Sequence, residues 1–403
     1  MTKTYLFIHP HFPGQFAHVA AALVAQGHQV VALAITGLDV PGVRMVRYHA
    51  ATLPRPSDVD MARDVEAKVL RGAVSVQAME KLRQEGFSPH VVVAHPGWGD
   101  ALFCKDVWPA ARLVIYAEFF YSSQGADYGF DKEFFDETTV LRAWVRLKNS
   151  AMLHALSAAD VVYAPTQWQR SLLPVEYRVK TRVAFEGIDT TVARPDPAAR
   201  VPLRRGLAEL TAPDEVITFA SRNLEPYRGF HVFMRALPDI LARRPNAHCI
   251  VVGGDACSYG PPPREGGTWR EVLMREVGNR LPVDRVHFLG ALPYQEYLRV
   301  LQISACHVYL TYPFVLSWSC LEAMSVGCSL VASRTGPVQE VVTDGDNGLL
   351  VDFFDRAALA NRVVAVLDDR QMAERLGSSA RRLMKERFDL RSVCLPAQLD
   401  ILA

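Results

Sequence analysis

The sequence predicts an α/β protein with two doubly wound, parallel sheets. Short apolar and β-branched runs alternate with longer helical patterns along both halves of the chain, which is the order that crossover helices on a parallel sheet require. A turn-rich and proline-rich passage without periodicity, at residues 187–197, separates the halves. The chain has 403 residues, of which 50% are hydrophobic, and this is enough for two cores.

The first half begins with an apolar run and a loop that contains histidine, proline and glycine. The pattern predicts strands at residues 5–9, 29–35, 45–50, 91–94, 112–118 and 161–165. The alanine-rich run 15–26 predicts a helix that ends at Gly27, because glycine is a favoured C-terminal cap. Apolar residues at helical spacing predict a long helix over 138–158.

The second half repeats the alternation. The pattern predicts strands at residues 216–220, 249–253, 286–290, 306–312, 328–333 and 348–352. A helix is predicted over 230–243, and the tail 388–403 is predicted to be helical. The predicted division of the chain is therefore 1–190, 191–385 and a C-terminal segment, 386–403.

Composition argues against several classes of protein. The formal net charge is +1, so no long-range field attracts nucleic acid. The first apolar run is too short for a signal peptide, and no apolar stretch approaches the roughly 18 residues that span a bilayer. The seven cysteines are scattered and form no C-x-x-C pair, which predicts reduced thiols, a cytoplasmic location and no zinc site.

The segment 317–327, S-W-S-C-L-E-A-M-S-V-G, carries the strongest indication of function. It follows the predicted strand at 306–312 and has one carboxylate, Glu322, in an otherwise apolar helix. Open α/β sheets bind ligands at the carboxyl ends of their strands, so Glu322 is predicted to face a ligand. The alternative is a carboxylate on the helix face that is held by a nearby arginine.

Two arginines occupy the loop that leaves the predicted strand at 216–220. Arg222 and Arg228 are six residues apart and precede the helix predicted over 230–243. Backbone amides at a helix N-terminus, together with guanidinium groups, bind phosphate oxygens. The loop therefore predicts a diphosphate site, and the alternative is a pair of surface charges.

Together with Gly336 and the run 340–351, E-V-V-T-D-G-D-N-G-L-L-V, these motifs resemble the donor-binding half of the family 4 retaining glycosyltransferases. That family has the GT-B fold, in which two Rossmann-like domains enclose a cleft and a C-terminal helix crosses back to the first domain. The resemblance implies that 1–190 is the acceptor-side domain, that 191–385 binds the nucleotide sugar, and that 386–403 returns to the first domain.

The resemblance also implies roles for individual residues. Glu322 would bind the ribose hydroxyls, and Arg222 and Arg228 would neutralise the leaving diphosphate, with Arg228 at the position of the family's usual lysine. Gly14 matches a glycine-rich turn that faces the donor phosphates. The backbone amides near Leu316 and Ser317 are available to the donor sugar.

Two positions depart from the family pattern. Phe314 stands eight residues before Glu322, where the family often has a first glutamate. Either the donor sugar is held differently or catalysis is lost, and we favour the former because the diphosphate and ribose positions are kept. Glu118 stands where many members have a histidine that contacts the transferred sugar. We predict that Glu118 binds a hydroxyl or acts as a base toward the acceptor, and the alternative is a structural carboxylate.

Further contacts to the acceptor or the sugar are predicted at strand ends of the first half. The residues are His11, His95, Glu118 and Tyr121, because aromatic rings pack on sugar faces and carboxylates bind hydroxyls. A structural role is the alternative for His11, and a core position is the alternative for Tyr121. The D-x-D patterns at 58–60 and 344–346 are interpreted as chance matches, so neither a metal nor another cofactor is expected.

The sequence and its resemblance thus predict a retaining, hexosyltransferase-type enzyme (EC 2.4 class) that moves a sugar from a nucleoside-diphosphate sugar to an acceptor. The predicted catalytic residues are Arg222, Arg228 and Glu118. Two alternatives stay open: a nucleotide-sugar epimerase of the same fold, and an inactive protein that binds sugar nucleotides. The sequence does not identify the base, the donor sugar, the linkage, the acceptor (glycan, lipid-linked sugar, protein or small molecule), the oligomeric state or any peripheral membrane contact.

Overall fold

The computed structural model describes residues 2–49, 60–135, 137–203 and 209–403. The chain forms two compact units, one of Met1–Gly187 with Arg391–Ala403 and the other of Ile188–Leu390. Each unit has its own parallel sheet surrounded by helices, as the alternation of strand and helix patterns predicts.

The strands of the first unit are β1 Thr4–Ile8, β2 His11–Phe12, β3 Gln29–Ala34, β4 Thr36–Gly37, β5 Val43–Arg47, β6 Val91–Ala94, β7 Arg112–Tyr116, β8 Val161–Ala164 and β9 Thr181–Val183. A seven-stranded parallel sheet has the order β5-β3-β1-β6-β7-β8-β9, and β2 pairs with β4. This order brings the carboxyl ends of β1, β6 and β7 side by side.

The helices of the first unit are α1 Ala17–Ala25, α2 Asp60–Gln84, α3 Cys104–Val107, α4 Thr139–Lys148, α5 Ser150–Ala158, α6 Gln167–Leu172 and α7 Val175–Arg178. One long helix was expected over 138–158, but the structure divides it at Asn149. The buried Asn149 side chain pairs through its oxygen and its nitrogen with the backbone of Tyr121, at 2.8 Å each. We attribute the break to this competing pairing.

Successive residues of β1 enter two cores on opposite faces of the first sheet. Tyr5 and Phe7 pack in one core and Leu6 and Ile8 in the other, and none of the four is more than 2% exposed. A strand that is covered on both faces has this pattern. The ends of such strands are therefore the places where polar side chains can gather.

The strands of the second unit are β10 Arg200–Pro202, β11 Glu209–Thr211, β12 Val216–Asn223, β13 His248–Gly254, β14 Val286–Gly290, β15 Cys306–Tyr309, β16 Leu330–Ser333 and β17 Leu349–Val351. Six of them form a parallel sheet in the order β14-β13-β12-β15-β16-β17, and β10 pairs with β11 in antiparallel fashion.

The helices of the second unit are α8 Phe230–Arg243, α9 Trp269–Val277, α10 Tyr294–Gln302, α11 Trp318–Val326, α12 Gly336–Gln339, α13 Arg356–Asp368 and α14 Arg370–Leu383. α8 has the predicted bounds and begins after Gly229, whose φ is +68°. A Cβ atom at Gly229 would lie 2.3 Å from Leu310 Cβ, so glycine is required there.

The chain returns to the first unit at its C-terminus. Two π-helical turns, Met384–Phe388 and Leu390–Cys394, lead to α15, Leu395–Leu402. Leu402 enters the same core as Tyr5, whose hydroxyl lies 3.5 Å from the Leu402 carbonyl oxygen. Within the described ranges, none of the helices is both long enough and apolar enough to cross a bilayer.

Two strands beside the candidate site differ from their predicted bounds. β12 continues past residue 220 and so carries Arg222, with a register shift after Ala220 that keeps it paired with β13. β15 ends at Tyr309, three residues before the predicted end at 312. The backbone between β15 and α11 therefore forms a loop rather than an extended strand.

The other predicted strands and helices match the structure to different degrees. The strands predicted at 91–94 and 286–290 are confirmed with their bounds. The pattern missed β9, and the last residue of the strand predicted at 45–50 lies outside the described residues.

Candidate functional site

A pocket of about 290 Å³ lies in the second unit, at the carboxyl ends of β12 and β13 and beside the start of α11. Open parallel sheets bind ligands at such an edge. Its lining consists of Ala220, Ser221, Arg222, Val252, Gly253, Ala291, Leu292, Tyr297, Ser317, Ser319 and Glu322. The structure thus brings three predicted site residues together, namely Arg222, Ser317 and Glu322.

Glu322 lies in a buried stretch of α11 and is itself 9% exposed. The hydroxyl group of Tyr297, on α10, donates a hydrogen bond to Oε2 at 3.0 Å. Burial raises the pKa of the Glu322 carboxyl, and hydrogen bonds from Tyr294 and Tyr297 offset this only in part. Among the described residues Glu322 has no ion pair, so nothing supports the alternative in which an arginine holds it. Its remaining lone pairs are available to a ligand in the pocket.

Ser317 is the N-terminal capping residue of α11 and lies at the edge of the pocket. Its Oγ accepts the backbone N–H of Ser319 at 3.2 Å, which is the usual bond of an N-terminal cap. The backbone N–H of Ser317 donates to the hydroxyl oxygen of Tyr309 at 2.9 Å. The hydroxyl groups of Ser317 and Ser319 and the N-terminal end of α11 therefore line the pocket. Hydroxyl groups and the positive end of a helix dipole suit an anionic or hydroxylated ligand.

The two arginines of the predicted diphosphate site have different environments. Arg222 is exposed and lines the pocket, and it has no acidic partner in the described part of the chain. Arg228 is 6% exposed and is not among the lining residues. Its Nη1 donates to Oγ1 of Thr311 at 2.8 Å and to the carbonyl oxygen of Val315 at 3.0 Å. Arg222 is thus available to an anion, whereas Arg228 is bonded to the protein.

The loop between β15 and α11 carries the remaining donor positions. Leu316 is 6% exposed and does not line the pocket, in contrast to Ser317. The Phe314 ring centroid lies 4.9 Å from that of Tyr259 and 5.5 Å from that of Tyr227. The position at which the resembling family has its first glutamate is therefore part of an aromatic cluster in this chain.

The second D-x-D pattern takes part in local structure. Asp344 accepts hydrogen bonds from Arg334 at 2.8 Å and from the backbone N–H of Leu350 at 2.9 Å. Asp346 accepts a hydrogen bond from Ser379 at 3.1 Å. Both carboxylates thus have structural partners. The first pattern includes residues 58 and 59, which lie outside the described residues.

In the first unit, polar side chains follow three neighbouring strands. His9 follows β1, His95 follows β6 and Glu118 lies two residues after β7. Gln15 joins them from the turn that precedes α1. The strands are parallel and adjacent in the sheet, so their carboxyl ends place these side chains in one network.

Glu118 is the centre of this network. Gln15 Nε2 donates to its Oε1 at 2.7 Å, and His95 Nε2 donates to its Oε2 at 3.1 Å. The oxygen of the Gln15 amide lies 3.1 Å from His9 Nε2. In each histidine ring, Nδ1 accepts a backbone N–H from two residues further on. We therefore assign the ring protons to Nε2, from which both rings donate into the network.

The network favours an ionised Glu118. Burial raises the pKa of this carboxyl, but hydrogen bonds from His95 and Gln15 outweigh burial, and the pKa lies below its ordinary value. Burial, and then the neighbouring His95, lowers the pKa of His9 to about 3. Each carboxylate oxygen of Glu118 keeps a second lone pair, so Glu118 can still accept a hydrogen bond from a ligand.

Gly14 packs against this network. Its φ is +48°, and a Cβ atom would lie only 2.6 Å from His9 Nε2. A larger residue would displace the ring that bonds Gln15. In the first unit, Gly14 thus serves the close packing of the turn on His9.

Aromatic rings border the network on one side. The Trp98 ring centroid lies 4.4 Å from that of His95, and the His11 ring lies 6.0 Å from Trp98. Tyr121 belongs to a different group, since its ring lies 4.5 Å from Lys148 Nζ and its backbone pairs with Asn149. The structure therefore groups His11, His95 and Glu118 but does not add Tyr121 to them.

Sequence reasoning missed several side chains that hold these two sites in place, among them Tyr297, Gln15 and Tyr309. Tyr297 holds Glu322, Gln15 links His9 to Glu118, and Tyr309 bonds the first turn of α11. The position of Gln15 directly after Gly14 is the one local signal among them. The other two act through contacts between elements that are distant in sequence.

Two family profiles match the chain. The profile described as glycosyl transferase family 4 group matches residues 26–193. The profile described as glycosyl transferases group 1 matches residues 208–383. The first match falls largely in the first unit and the second match in the second unit.

Curated relatives are similar at moderate identity. The D-inositol 3-phosphate glycosyltransferase of Corynebacterium efficiens is 28% identical over an alignment 228 residues long, and the match covers 55% of this chain and 51% of that protein. The chain thus spans about half the length of the first such relatives. The glycogen synthase of Mycobacterium tuberculosis is 27% identical over 403 residues, with 93% of this chain and 87% of that protein covered.

Solved structures share the fold at low identity. Sucrose-phosphate synthase from Thermosynechococcus elongatus superposes with a TM-score of 0.75 and 19% identity, and covers 99% of this chain and 98% of its own. Anabaena HepE, solved in complex with UDP-glucose, superposes with a TM-score of 0.70 and 16% identity, and covers 99% of both chains.

Proposed function

The chain belongs to the family 4 group of glycosyltransferases and has the GT-B fold, and from this premise we propose that it transfers a sugar from a nucleoside-diphosphate sugar to an acceptor with retention of configuration. One observation carries the proposal. In the pocket of the second unit, Arg222 and Glu322 line the same space. Among the described residues, Arg222 has no acidic partner and the buried carboxylate of Glu322 has no ion pair.

The donor would be held by complementary charge and hydrogen bonds. The Glu322 carboxylate accepts hydrogen bonds from the two ribose hydroxyls, while Tyr297 keeps the carboxylate in place. Arg222 and the first turn of α11 bind the diphosphate, because guanidinium groups and helix N-termini both favour phosphate oxygens. The side chains of the pocket thus match the two polar parts of a nucleoside diphosphate.

Catalysis would consist mainly of stabilising the departing diphosphate. Positive charge from Arg222 and from the helix N-terminus neutralises the negative charge that develops on the leaving group. We therefore propose no metal and no further cofactor. The acceptor hydroxyl then attacks the anomeric carbon from the face that the diphosphate leaves: the bond between the sugar and the diphosphate breaks, the acceptor proton passes to a departing diphosphate oxygen, and the configuration is retained.

Glu118 is our candidate for binding the acceptor hydroxyl. A carboxylate with a lowered pKa is a weak base but a good hydrogen-bond acceptor, so it orients a hydroxyl better than it removes its proton. His95 and Gln15 fix its orientation, and Trp98 and His11 offer rings beside it.

We also propose a cytoplasmic location. All seven cysteines lie in the described ranges and are free thiols, six of them buried. Scattered, unpaired thiols are typical of proteins from reducing compartments. Detection of the native protein outside the cytoplasm would contradict this placement.

A screen of nucleotide sugars tests the proposed function. A donor that binds the native state should raise Tm, and an excess of 100 times Kd stabilises by about 2.7 kcal/mol. We expect at least one UDP-, GDP- or ADP-sugar to do so and to be consumed when an acceptor is present. Binding without turnover for every donor and acceptor would favour a non-catalytic protein, and a changed sugar without released nucleotide would favour an epimerase.

Glu322→Gln should weaken nucleotide affinity by about 1 to 3 kcal/mol, because charge-assisted hydrogen bonds to the ribose are lost. The substitution keeps the shape of the side chain and an oxygen for Tyr297, so we expect the fold to remain intact. Isothermal calorimetry with UDP, or with the nucleotide of the identified donor, measures the change. Glu386→Gln, at an exposed position of the same unit, is the matched control. Equal affinities for Glu322→Gln and wild type would rule out the assignment.

A further inference from the structure

Arg228 and Tyr309 are buried side chains, 6% and 2% exposed, that meet beside the loop 310–317. Arg228 Nη1 lies 3.3 Å from the Tyr309 hydroxyl oxygen, 2.8 Å from Thr311 Oγ1 and 3.0 Å from the Val315 carbonyl oxygen. Nη1 carries only two hydrogens, so these three acceptors occupy its hydrogen-bonding capacity. The guanidinium therefore ties the end of β15 to the middle of the loop.

Tyr309 extends this connection to the pocket. Its hydroxyl oxygen accepts the backbone N–H of Ser317, the residue that caps α11. Ser317 and Ser319 line the pocket, whereas Tyr309 and Arg228 do not. A continuous path of hydrogen bonds thus runs from Arg228 through Tyr309 to the first turn of the helix that carries Glu322.

Aromatic rings lie beside the rest of the guanidinium. Arg228 Cζ lies 5.2 Å from the ring centroid of Tyr259 and 5.9 Å from that of Phe314, within the range of cation–π attraction. Phe314 belongs to the same loop that Arg228 bonds. Two of the departures from the family pattern, arginine for lysine at residue 228 and phenylalanine for glutamate at residue 314, are therefore neighbours. A lysine has no planar guanidinium group, so it cannot pack against these rings and donate several hydrogen bonds at fixed angles as arginine does.

We propose that Arg228 and Tyr309 are positioning residues: they hold the loop 310–317 and the first turn of α11 so that Ser317, Ser319 and Glu322 line the pocket. Arg222 is then the arginine that meets the diphosphate. This inference rests on the proposed nucleotide site but gives Arg228 a different role from the one that the family resemblance implies. The hydroxyl group of Tyr309 would thus fix the shape of the pocket, although Tyr309 does not itself line it.

Hydrogen–deuterium exchange on the ligand-free protein tests the positioning role without any substrate. Tyr309→Phe removes one buried hydroxyl group and retains the ring. We expect amides in residues 312–319 to exchange about tenfold faster in Tyr309→Phe and in Arg228→Lys, because the local opening of this segment becomes easier. Tyr5→Phe is the matched control, since it removes a hydroxyl group that contacts Leu402 in the first unit. Unchanged exchange of 312–319 in Tyr309→Phe would overturn the proposal.

The UDP affinity of the same variants separates positioning from direct phosphate contact. We expect Tyr309→Phe to weaken UDP binding about fivefold, and Tyr5→Phe to leave it unchanged at a similar loss of Tm. The double variant Arg228→Lys with Tyr309→Phe should bind UDP no more weakly than Arg228→Lys alone. The reason is that both substitutions disrupt the same hydrogen bond, from Arg228 Nη1 to the Tyr309 hydroxyl oxygen. If Arg228→Lys keeps wild-type affinity, or if the losses add, Arg228 does not act through Tyr309.

The two measurements also distinguish this inference from the proposed function. A wild-type protein that binds neither UDP, ADP nor GDP would contradict the proposed nucleotide site. Faster exchange at 312–319 in Tyr309→Phe would then still establish the connection between Tyr309 and the first turn of α11. Normal nucleotide binding with unchanged exchange would contradict only the positioning role.

Discussion

Arg222→Ala should lower kcat for sugar transfer by about 10²- to 10³-fold, the usual loss when one group that stabilises transition-state charge is removed. Arg222 is exposed at the end of β12 and lines the pocket, so its truncation creates no buried cavity. We therefore expect Tm to remain near that of wild type. The measurement is donor consumption at saturating acceptor, with the donor that the nucleotide-sugar screen identifies.

Two variants make this experiment specific. Arg222→Lys keeps the positive charge without the planar fork and should recover part of the activity. Arg280→Ala removes an exposed arginine of the same unit that does not line the pocket and should keep the wild-type kcat. A kcat for Arg222→Ala within about threefold of wild type would show that the transition state does not use this side chain.

The strands of both sheets could be predicted because strands buried on both faces appear as continuous apolar runs. The runs at 91–94 and 286–290 are of this kind, and their bounds are confirmed. β9 is three residues long and includes an exposed arginine, so no apolar run marks it. The break at Asn149 depends on a pairing with Tyr121, 28 residues earlier, which helical periodicity does not contain.

The candidate site shows the same division between local and distant causes. Glu322 and Arg222 could be placed at a strand edge because each lies within a few residues of a recognisable strand or helix start. The sequence pattern treats Arg222 and Arg228 alike. Their difference arises from Tyr309, Thr311 and Val315, which lie more than 80 residues from Arg228 and bury it. Contacts between residues so far apart in sequence depend on the order of the strands in the sheet, which the spacing of residues along the chain does not reveal.

Glu118→Gln should lower kcat/KM for the acceptor by about 10- to 150-fold and leave nucleotide affinity unchanged. The reason is the loss of a charge-assisted hydrogen bond to the acceptor hydroxyl, worth about 1.5 to 3 kcal/mol. An amide also has only one oxygen, so either Gln15 or His95 would face an N–H group instead of an acceptor. Glu176→Gln, at an exposed position on α7, is the matched control.

The pH dependence of the same kinetic constant distinguishes hydroxyl binding from base catalysis by Glu118. The pKa of Glu118 lies below its ordinary value, so the carboxylate stays ionised as the pH falls from 7 to about 5. Wild-type kcat/KM for the acceptor should therefore not decrease over this range through protonation of Glu118. A general base tuned to neutral pH would instead have a raised pKa and lose activity on acidification. An acidic decrease centred near pH 6 in wild type that disappears in Glu118→Gln would make Glu118 the base and contradict its assignment as a hydroxyl-binding group.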